Sequence, residues 1–412
     1  MKILFATASI NGGGVFTYAT EFISLFSSKH ELFVVSGNKR LNEYEGISKS
    51  YKFDCGDTSV QNAKSILEII NNLEPDIVIN SNAKVISLIV PYVRDKIKVI
   101  TVSHSLKYSD ADNAAINHKY IDRIIALSTD GAKYLDKKYK VREKTVIIPN
   151  FVSIPHNADL IKQKKKNSSF VTIVFPGGCS TAKYPELVVK IVDKLLSTSL
   201  NYKFYWLGNT RCPLHRFSIV NKVPDLFSAD KRLIFTGKIE HDKSLDIIQS
   251  ADVFLFPSRR EGCPISLLEA MCVGCIPIVS DFDNANKEIV NESGGYIIPH
   301  KDVCQFVSRV EKIIENKEKY IHYYDTTQEY FKKELSPDIW YKRMHTLLLD
   351  QVKSHSVRHN KFSITGFLIS RLHLKFIFAI SLIQTYLEEG LPTYFSITRF
   401  ALKKKMNGSR QI

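Results

Sequence analysis

The stretch Ala251-Asp-Val-Phe-Leu-Phe-Pro-Ser-Arg-Arg-Glu261-Gly-Cys-Pro264-Ile-Ser-Leu-Leu-Glu269-Ala-Met271 passes from a strand pattern through a loop into a helix. Its four apolar residues Val253–Phe256, closed by Pro257-Ser258, read as a buried strand. Pro264 suits a first helical turn, where its missing N–H has no partner to lose, so the helix is expected to start near Pro264-Ile265. The amides of Ser266 and Leu267 are then expected to be unpaired and, with the helix dipole, to favour an anion such as a diphosphate. Glu261 stands in the loop before the helix and Glu269 about one turn inside it. Both carboxylates can therefore accept hydrogen bonds from the hydroxyls of a ligand lying across the helix start. Taken alone, the pair is equally well read as a loop charge and an ordinary helix residue, although a carboxylate among apolar neighbours needs partners.

Outward from this stretch, the chain alternates strand and helix patterns. In the first half, strand patterns at Ile3–Ala8, Glu31–Ser36, Asp76–Asn80, Val99–Ser103, Arg123–Ser128 and Thr145–Pro149 alternate with helical periods such as Val15–Phe26, Ala63–Leu73 and Gly131–Tyr139. The second half repeats the scheme, with strand patterns at Thr172–Phe175, Phe204–Leu207, Leu233–Phe235, Val253–Phe256 and Ile276–Val279. Such alternation predicts an α/β fold of two doubly wound, Rossmann-like domains, each a parallel sheet with helices on both faces. The expected organisation is an N-terminal domain over 1–152, a linker over 153–169, a second domain over 170–330, a helix over 331–350 that returns to the first domain, and an extension over 351–412. The linker is assigned because 153–169 is polar, carries Lys162-Gln-Lys-Lys-Lys166 and lacks an apolar period. Ligands of doubly wound folds bind beyond the carboxyl ends of the strands, so the site is expected in a cleft that the two domains face.

The order Glu261-x7-Glu269 within Pro-Ser-x-x-Glu-Gly-x-Pro-x-x-Leu-Leu-Glu-Ala-Met resembles the donor-site signature of family-four retaining glycosyltransferases, which have the GT-B fold. Gly274-Cys-Ile-Pro277-Ile-Val-Ser, Glu288-Ile-Val and Gly294-Gly-Tyr-Ile-Ile follow in the order and spacing of that family. The resemblance implies that Glu261 holds a donor hexose and Glu269 a ribose. It also implies that the turn with Gly262, Pro264, Ser266 and Leu267 holds the diphosphate of a nucleotide-sugar donor. Phe175-Pro-Gly177-Gly178-Cys-Ser-Thr-Ala-Lys183 falls where the family has a Gly-Arg pair and then a Lys. Lys183 matches the Lys, while Gly178 stands in place of the Arg. A cation there would stabilise charge on the leaving diphosphate, and Arg259 and Arg260 are candidates for the missing one. Asn11-Gly-Gly13-Gly14-Val15 resembles the family's first loop, which faces the acceptor or a phosphate. His104, at the end of a strand, matches the family's active-site His. Pro149-Asn150-Phe151 stands where Pro-Asn-Gly is usual.

The resemblance covers about residues 1–350 and implies a retaining transfer of a hexose to a glycan or lipid-linked acceptor in bacterial surface polysaccharide synthesis, such as capsule or lipopolysaccharide, without cofactor or metal. Two other readings stay open at this point, a sugar-nucleotide epimerase of related fold and a basic nucleic-acid-binding protein. The second is disfavoured because a nucleic-acid reader concentrates cations and aromatics on one surface. Here 57 Lys and Arg against 42 Asp and Glu give +15, and over half the excess lies in 351–412, where ten Lys and Arg face two Glu. No nucleic-acid partner is expected.

The seven cysteines are odd in number and scattered, which fits reduced thiols in a cytosolic enzyme, and the Cys272–Cys275 pair reads as two buried thiols. Asp110, Asp112, Asp281 and Asp283 read as loop acids that cap helices rather than a metal site. Phe362–Leu387 is apolar but broken by Arg371, His373 and Lys375, so its longest uncharged part is too short to span a bilayer. Residues 356–412 therefore suit either an anionic membrane surface, with the enzyme peripheral on the inner face of the plasma membrane, or extra helices packed on the body.

Overall fold

Every strand pattern read above forms a strand in the computed structural model, and all of them lie in two parallel sheets. The structure describes residues 1–8, 13–37, 44–104, 108–178, 181–210, 218–227, 229–282, 285–350, 358 and 361–389. One compact unit comprises Met1–Ile154, Glu261–Leu268 and Lys332–Phe378; the other comprises Pro155–Arg260 and Glu269–Phe331, with the chain from Ala379 on grouped with it.

In the first unit, β1 (Lys2–Thr7), β2 (Glu31–Ser36), β3 (Lys49–Lys52), β4 (Ile77–Ser81), β5 (Lys98–Ser103), β6 (Arg123–Ala126) and β7 (Thr145–Ile147) lie in the order β3-β2-β1-β4-β5-β6-β7. The second sheet has β8 (Val171–Pro176), β9 (Tyr202–Leu207), β10 (Leu233–Gly237), β11 (Val253–Phe256), β12 (Ile276–Asp281) and β13 (Tyr296–Pro299) in the order β10-β9-β8-β11-β12-β13. Central strands are apolar throughout because helices cover both faces: Ile3 to Ala6 and Val253 to Phe256 are all fully buried. Both orders reverse direction at the first strand, between β1 and β4 and between β8 and β11. These are the switch points where the loops diverge and leave a crevice.

Two strands escaped the sequence pattern. Edge strand β3 is Lys-Ser-Tyr-Lys, a short charged segment of the kind that keeps a sheet edge from pairing with other chains. Edge strand β13 was legible only as part of the family motif. One device recurs at the amino edges: Asp76, Asp122 and Asp252 each precede a strand and accept an amide from the start of its neighbour, that of Lys2, Val99 or Thr172, at 2.7 Å each.

The segment expected to be a linker differs from that reading. Ala158–Asn167 is a helix of the second unit, and three of its four lysines are partnered rather than solvated. Lys162 and Lys166, one turn apart, reach the two carboxylate oxygens of Asp325 at 2.9 and 2.8 Å. Lys165 is 4% exposed and donates to the Ala251 carbonyl at 3.2 Å, and burial pushes its pKa down. Asp252 beside it holds Lys317 at 3.0 Å and the Tyr324 hydroxyl at 2.6 Å. An apolar-period test missed this helix because lysine partners hold it in place of an apolar stripe.

Arg358 and the helix that follows it, up to Phe378, belong to the first unit. Arg358 is 2% exposed: its guanidinium donates to Asp122 at 2.6 Å and to the carbonyls of Ile97 and Tyr120 at 2.8 and 3.0 Å. The helix Ile364–Glu389 follows, and its Phe367, Leu374 and Ile377 enter the first unit's core. Among the described residues no helix is long and apolar enough to cross a membrane. The cluster Arg399, Lys403, Lys404 and Lys405 lies outside the described residues.

Candidate active site at the strand ends

In the first unit, Gly13 and Gly14 follow β1 at the switch point. Gly13 has φ +80° and caps the helix Gly14–Ser27, and its carbonyl accepts the amides of Phe16 and Thr17. Only glycine takes this conformation without strain, and open space surrounds the place where its Cβ would be. Gly12, the glycine before it, lies outside the described residues. Across the switch point, β4 ends at Ser81 and β5 runs into His104. Ser81 Oγ and His104 Nε2 are 2.9 Å apart, and the Tyr18 ring meets the imidazole edge-on with centroids 4.9 Å apart. Burial lowers the His104 pKa to about 4, so the ring is neutral at physiological pH. A neutral imidazole hydrogen-bonded at Nε2 presents Nδ1 as its second polar atom. Tyr18 is 1% exposed, and its hydroxyl has no hydrogen-bond partner among the described residues.

Glu261, Gly262 and Pro264 also lie in this unit. Asn150 Nδ2 donates to the Cys263 carbonyl at 2.6 Å, and a Cβ on Gly14 would stand 3.7 Å from Ile265, so the segment is fixed at the carboxyl edge of the first sheet. The helix runs Ile265–Met271, matching the start expected from Pro264. One expectation needs correction: the Leu267 amide is not free but donates to the Pro264 carbonyl at 3.1 Å, tightening the first turn. The Ser266 amide remains as a donor at the helix start.

In the second unit, Gly177 and Gly178 follow β8. Gly178 has φ +63°, and a Cβ there would stand 3.3 Å from the Asn209 backbone, while one on Gly208 would stand 3.0 Å from the Gly178 nitrogen. The loops after β8 and β9 therefore touch backbone to backbone, which explains glycine in the position where the family has Arg. Cys179 and Ser180, between this turn and Lys183, lie outside the described residues.

Lys183 ends a short helical turn, with Nζ 4.3 Å from the centre of the Phe256 ring at the end of β11. The next residue, Tyr184, has φ +53° and is packed between two groups. The Arg259 guanidinium lies 3.5 Å over its ring, and the His300 ring stacks beside it at 5.3 Å. The Arg259 amide also donates to the Ala182 carbonyl at 2.7 Å. Arg259 is thus built into the turn that carries Lys183. Burial, and after it the charges of Arg259 and Lys301, hold the His300 pKa below its usual range. A non-glycine residue in left-handed conformation, packed against a ring and a cation, is strain of the kind concentrated at ligand sites.

Glu269 is 6% exposed, with Oε1 3.6 Å from Nε2 of His241 at the start of the helix His241–Ser250. Ser81, Tyr18, His241 and His300 were missed in the sequence. Ser81 alone had a usable signal, its place at a strand end facing the switch point. Cys272 and Cys275 are buried free thiols whose pKa burial raises to about 12, which makes them packing groups. Asp112 is no loop cap. It sits 1% exposed in the helix Tyr108–Ala115 and accepts from Lys138 at 2.8 Å and from the Tyr139 hydroxyl at 2.8 Å.

Two switch-point sheets with glycine turns, and a carboxylate-bearing helix after β11, define a doubly wound α/β protein with a candidate site at its strand ends. Residues 157–330 match the family model described as glycosyl transferases group 1, and residues 12–154 match that of glycosyltransferase family 4. The chain belongs to the group 1 glycosyltransferases of GT-B fold.

Over 215 residues it is 33% identical to the Escherichia coli UDP-Gal:alpha-D-GlcNAc-diphosphoundecaprenol alpha-1,3-galactosyltransferase, a match covering 48% of this chain and 53% of that protein. It therefore spans about half the length of that relative. It is 22% identical over 375 residues to the Escherichia coli lipopolysaccharide 1,6-galactosyltransferase, covering 85% of this chain and 99% of that protein. The structure of Anabaena HepE in complex with UDP-glucose aligns with a TM-score of 0.68 over 84% of this chain and 99% of the other, at 14% identity, a likeness of fold.

Proposed function

We propose that this protein transfers a hexose from a nucleoside diphosphate sugar to a glycan or lipid-linked acceptor, with retention of anomeric configuration, in bacterial surface polysaccharide synthesis at the cytosolic face of the membrane. The observation that carries the reading is that Lys183 and Arg259 share one turn, joined by the Arg259 amide on the Ala182 carbonyl, in the same unit as the nearly buried Glu269 carboxylate. Two cations at one turn suit a diphosphate, and a carboxylate that accepts hydrogen bonds suits a ribose diol. The galactosyltransferase relative, named for a UDP-Gal donor and a diphosphoundecaprenol acceptor, favours a UDP-hexose and a lipid-linked acceptor here.

In this reading Glu269 holds the ribose, Glu261 and His104 the hexose, and Ser266 the diphosphate, with Gly177 and Gly178 allowing close backbone approach and Gly13 and Gly14 bordering the acceptor side. The acceptor hydroxyl attacks the anomeric carbon from the face the diphosphate leaves, and its proton passes to the departing phosphate oxygen. Lys183 and Arg259 stabilise the charge that grows on that oxygen, where a metal acts in other transferases. The neutral His104 can hydrogen-bond a sugar hydroxyl without adding charge.

The test is a thermal-shift panel of nucleoside diphosphate sugars followed by turnover with a diphosphoprenyl-linked sugar acceptor. Glu261→Gln and Glu269→Gln are each expected to lower kcat/KM by about 100-fold, the scale of a lost transition-state contact. Unchanged turnover and nucleotide affinity in both variants would overturn the reading. Release of an epimerised nucleotide sugar in the absence of acceptor would replace it with an epimerase.

A further inference from the structure

Over residues 364–380 the helix Ile364–Glu389 is apolar on two sides. On the body side, Phe367, Leu374 and Ile377 are at most 8% exposed. The Tyr92 hydroxyl donates to the Ser363 carbonyl at 3.2 Å just before the helix, and Arg371 Nε donates to Thr58 Oγ1 at 3.1 Å along it. Lys84 Nζ lies 5.3 Å from the centre of the Phe378 ring. On the opposite side Leu368, Ile369, Leu372 and Phe376 are 38%, 62%, 65% and 65% exposed. At the helical pitch these four share a sector of about 100°. Lys375 and His373 flank that sector on either edge, and both are exposed.

The direction of the helix adds to this. Tyr92, at its start, comes before β5, whereas Lys84, beside Phe378, comes three residues after Ser81 at the end of β4. Within the first unit the helix therefore runs from the amino edge of the sheet toward the carboxyl edge, where Ser81 and His104 meet. Cations alone accompany the stripe: between Lys361 and Leu387 there are Lys361, Arg371 and Lys375 and no acid, and 351–412 holds ten Lys and Arg against two Glu.

We propose that this outer face of the helix is a membrane contact, with Leu368, Ile369, Leu372 and Phe376 at the acyl boundary of an anionic bilayer and Lys375 among its headgroups. An apolar stripe edged by cations is complementary to anionic lipid, and a helix fixed along its other side can only lie in the membrane plane. The two alternatives read from the sequence are thus two sides of one helix, one packed on the body and one free for lipid. The proposal rests on the functional reading for its purpose: it brings the strand ends of the first unit to the surface where a lipid-linked acceptor resides.

The experiment is sedimentation of the full-length protein with vesicles of phosphatidylglycerol or of phosphatidylcholine, at low and high salt. We expect binding to phosphatidylglycerol, weakened by salt, and at least tenfold weaker partitioning for the Leu372→Glu/Phe376→Glu double variant, with thermal midpoint and UDP affinity unchanged. Wild-type protein that fails to sediment, or a double variant that binds like wild type, overturns the proposal. A wild-type dimer that the double variant dissociates, with no vesicle binding, overturns it in favour of a second copy on this face. Turnover on a short-chain, detergent-soluble acceptor is measured on the same preparations. Lost sedimentation with intact turnover then rejects the surface alone, and intact sedimentation without turnover rejects the function alone.

Discussion

Phe151 lies nearly face to face on Trp340, with ring centroids 4.2 Å apart and planes 29° from parallel. It stands where the resembling family has a glycine, yet it is not among the residues with positive φ and is 1% exposed. The turn after Asn150 therefore does not require glycine; it serves as an aromatic anchor. Trp340, in the helix Pro337–Leu349, also meets Tyr18, Phe22 and Phe26 edge-on, so one indole ties that helix to the helix Gly14–Ser27. Trp340→Ala is expected to cost about 3–5 kcal/mol and Phe151→Gly a similar amount, because each leaves a cavity among rigid rings. Urea unfolding of the two variants checks this.

The neutral His104 sets a pH dependence of stability. Its native pKa of about 4 lies below the ordinary 6.5, so the unfolded chain takes up a proton that the folded chain refuses. The stabilisation is complete above pH 6.5 and is lost as pH falls toward 4. Its size is on the order of 1–3 kcal/mol, toward the lower end because the ring is partly exposed. His104→Gln should flatten the fall in thermal midpoint between pH 7 and 5, and a slope identical to wild type would remove His104 from the account.

Ser81 orients that imidazole without itself bearing charge. Ser81→Ala should lower kcat/KM about tenfold by freeing the ring to rotate, with Ser81→Thr restoring most of it. Equal loss in the Ala and Thr variants would point to packing instead of the hydrogen bond.

Restoring the family's arginine is predicted to fail. Gly178→Arg puts a Cβ at φ +63° within 3.3 Å of the Asn209 backbone, so it should cost about 1–2 kcal/mol or more and raise no activity. A stable, faster variant would show that the β8 and β9 loops can part.

Arg358 and Asp122 form a buried pair in which each has few alternatives. Arg358→Met leaves Asp122 buried without its cation and should cost about 3–5 kcal/mol. Limited proteolysis should then cut between Leu349 and Ile364 sooner than in wild type.

The sequence by itself determined the two parallel sheets, the helix start at Pro264 and the family, because strand periodicity, proline and a carboxylate spacing are local signals that survive without neighbours. It could not resolve which charges are solvated. Lys162, Lys165 and Lys166 read as a linker's cations until Asp325 and the Ala251 carbonyl, far off in the chain, claimed them. Asp112 likewise read as a cap until Lys138 and Tyr139 enclosed it. The tertiary structure alone decided these, and with them the Ser81–His104 pair, the Arg259–Tyr184 stack and the two-sided Ile364–Glu389 helix. A charge or hydroxyl acquires its role from the partner that desolvation forces upon it, and that partner is chosen by the fold rather than by sequence distance.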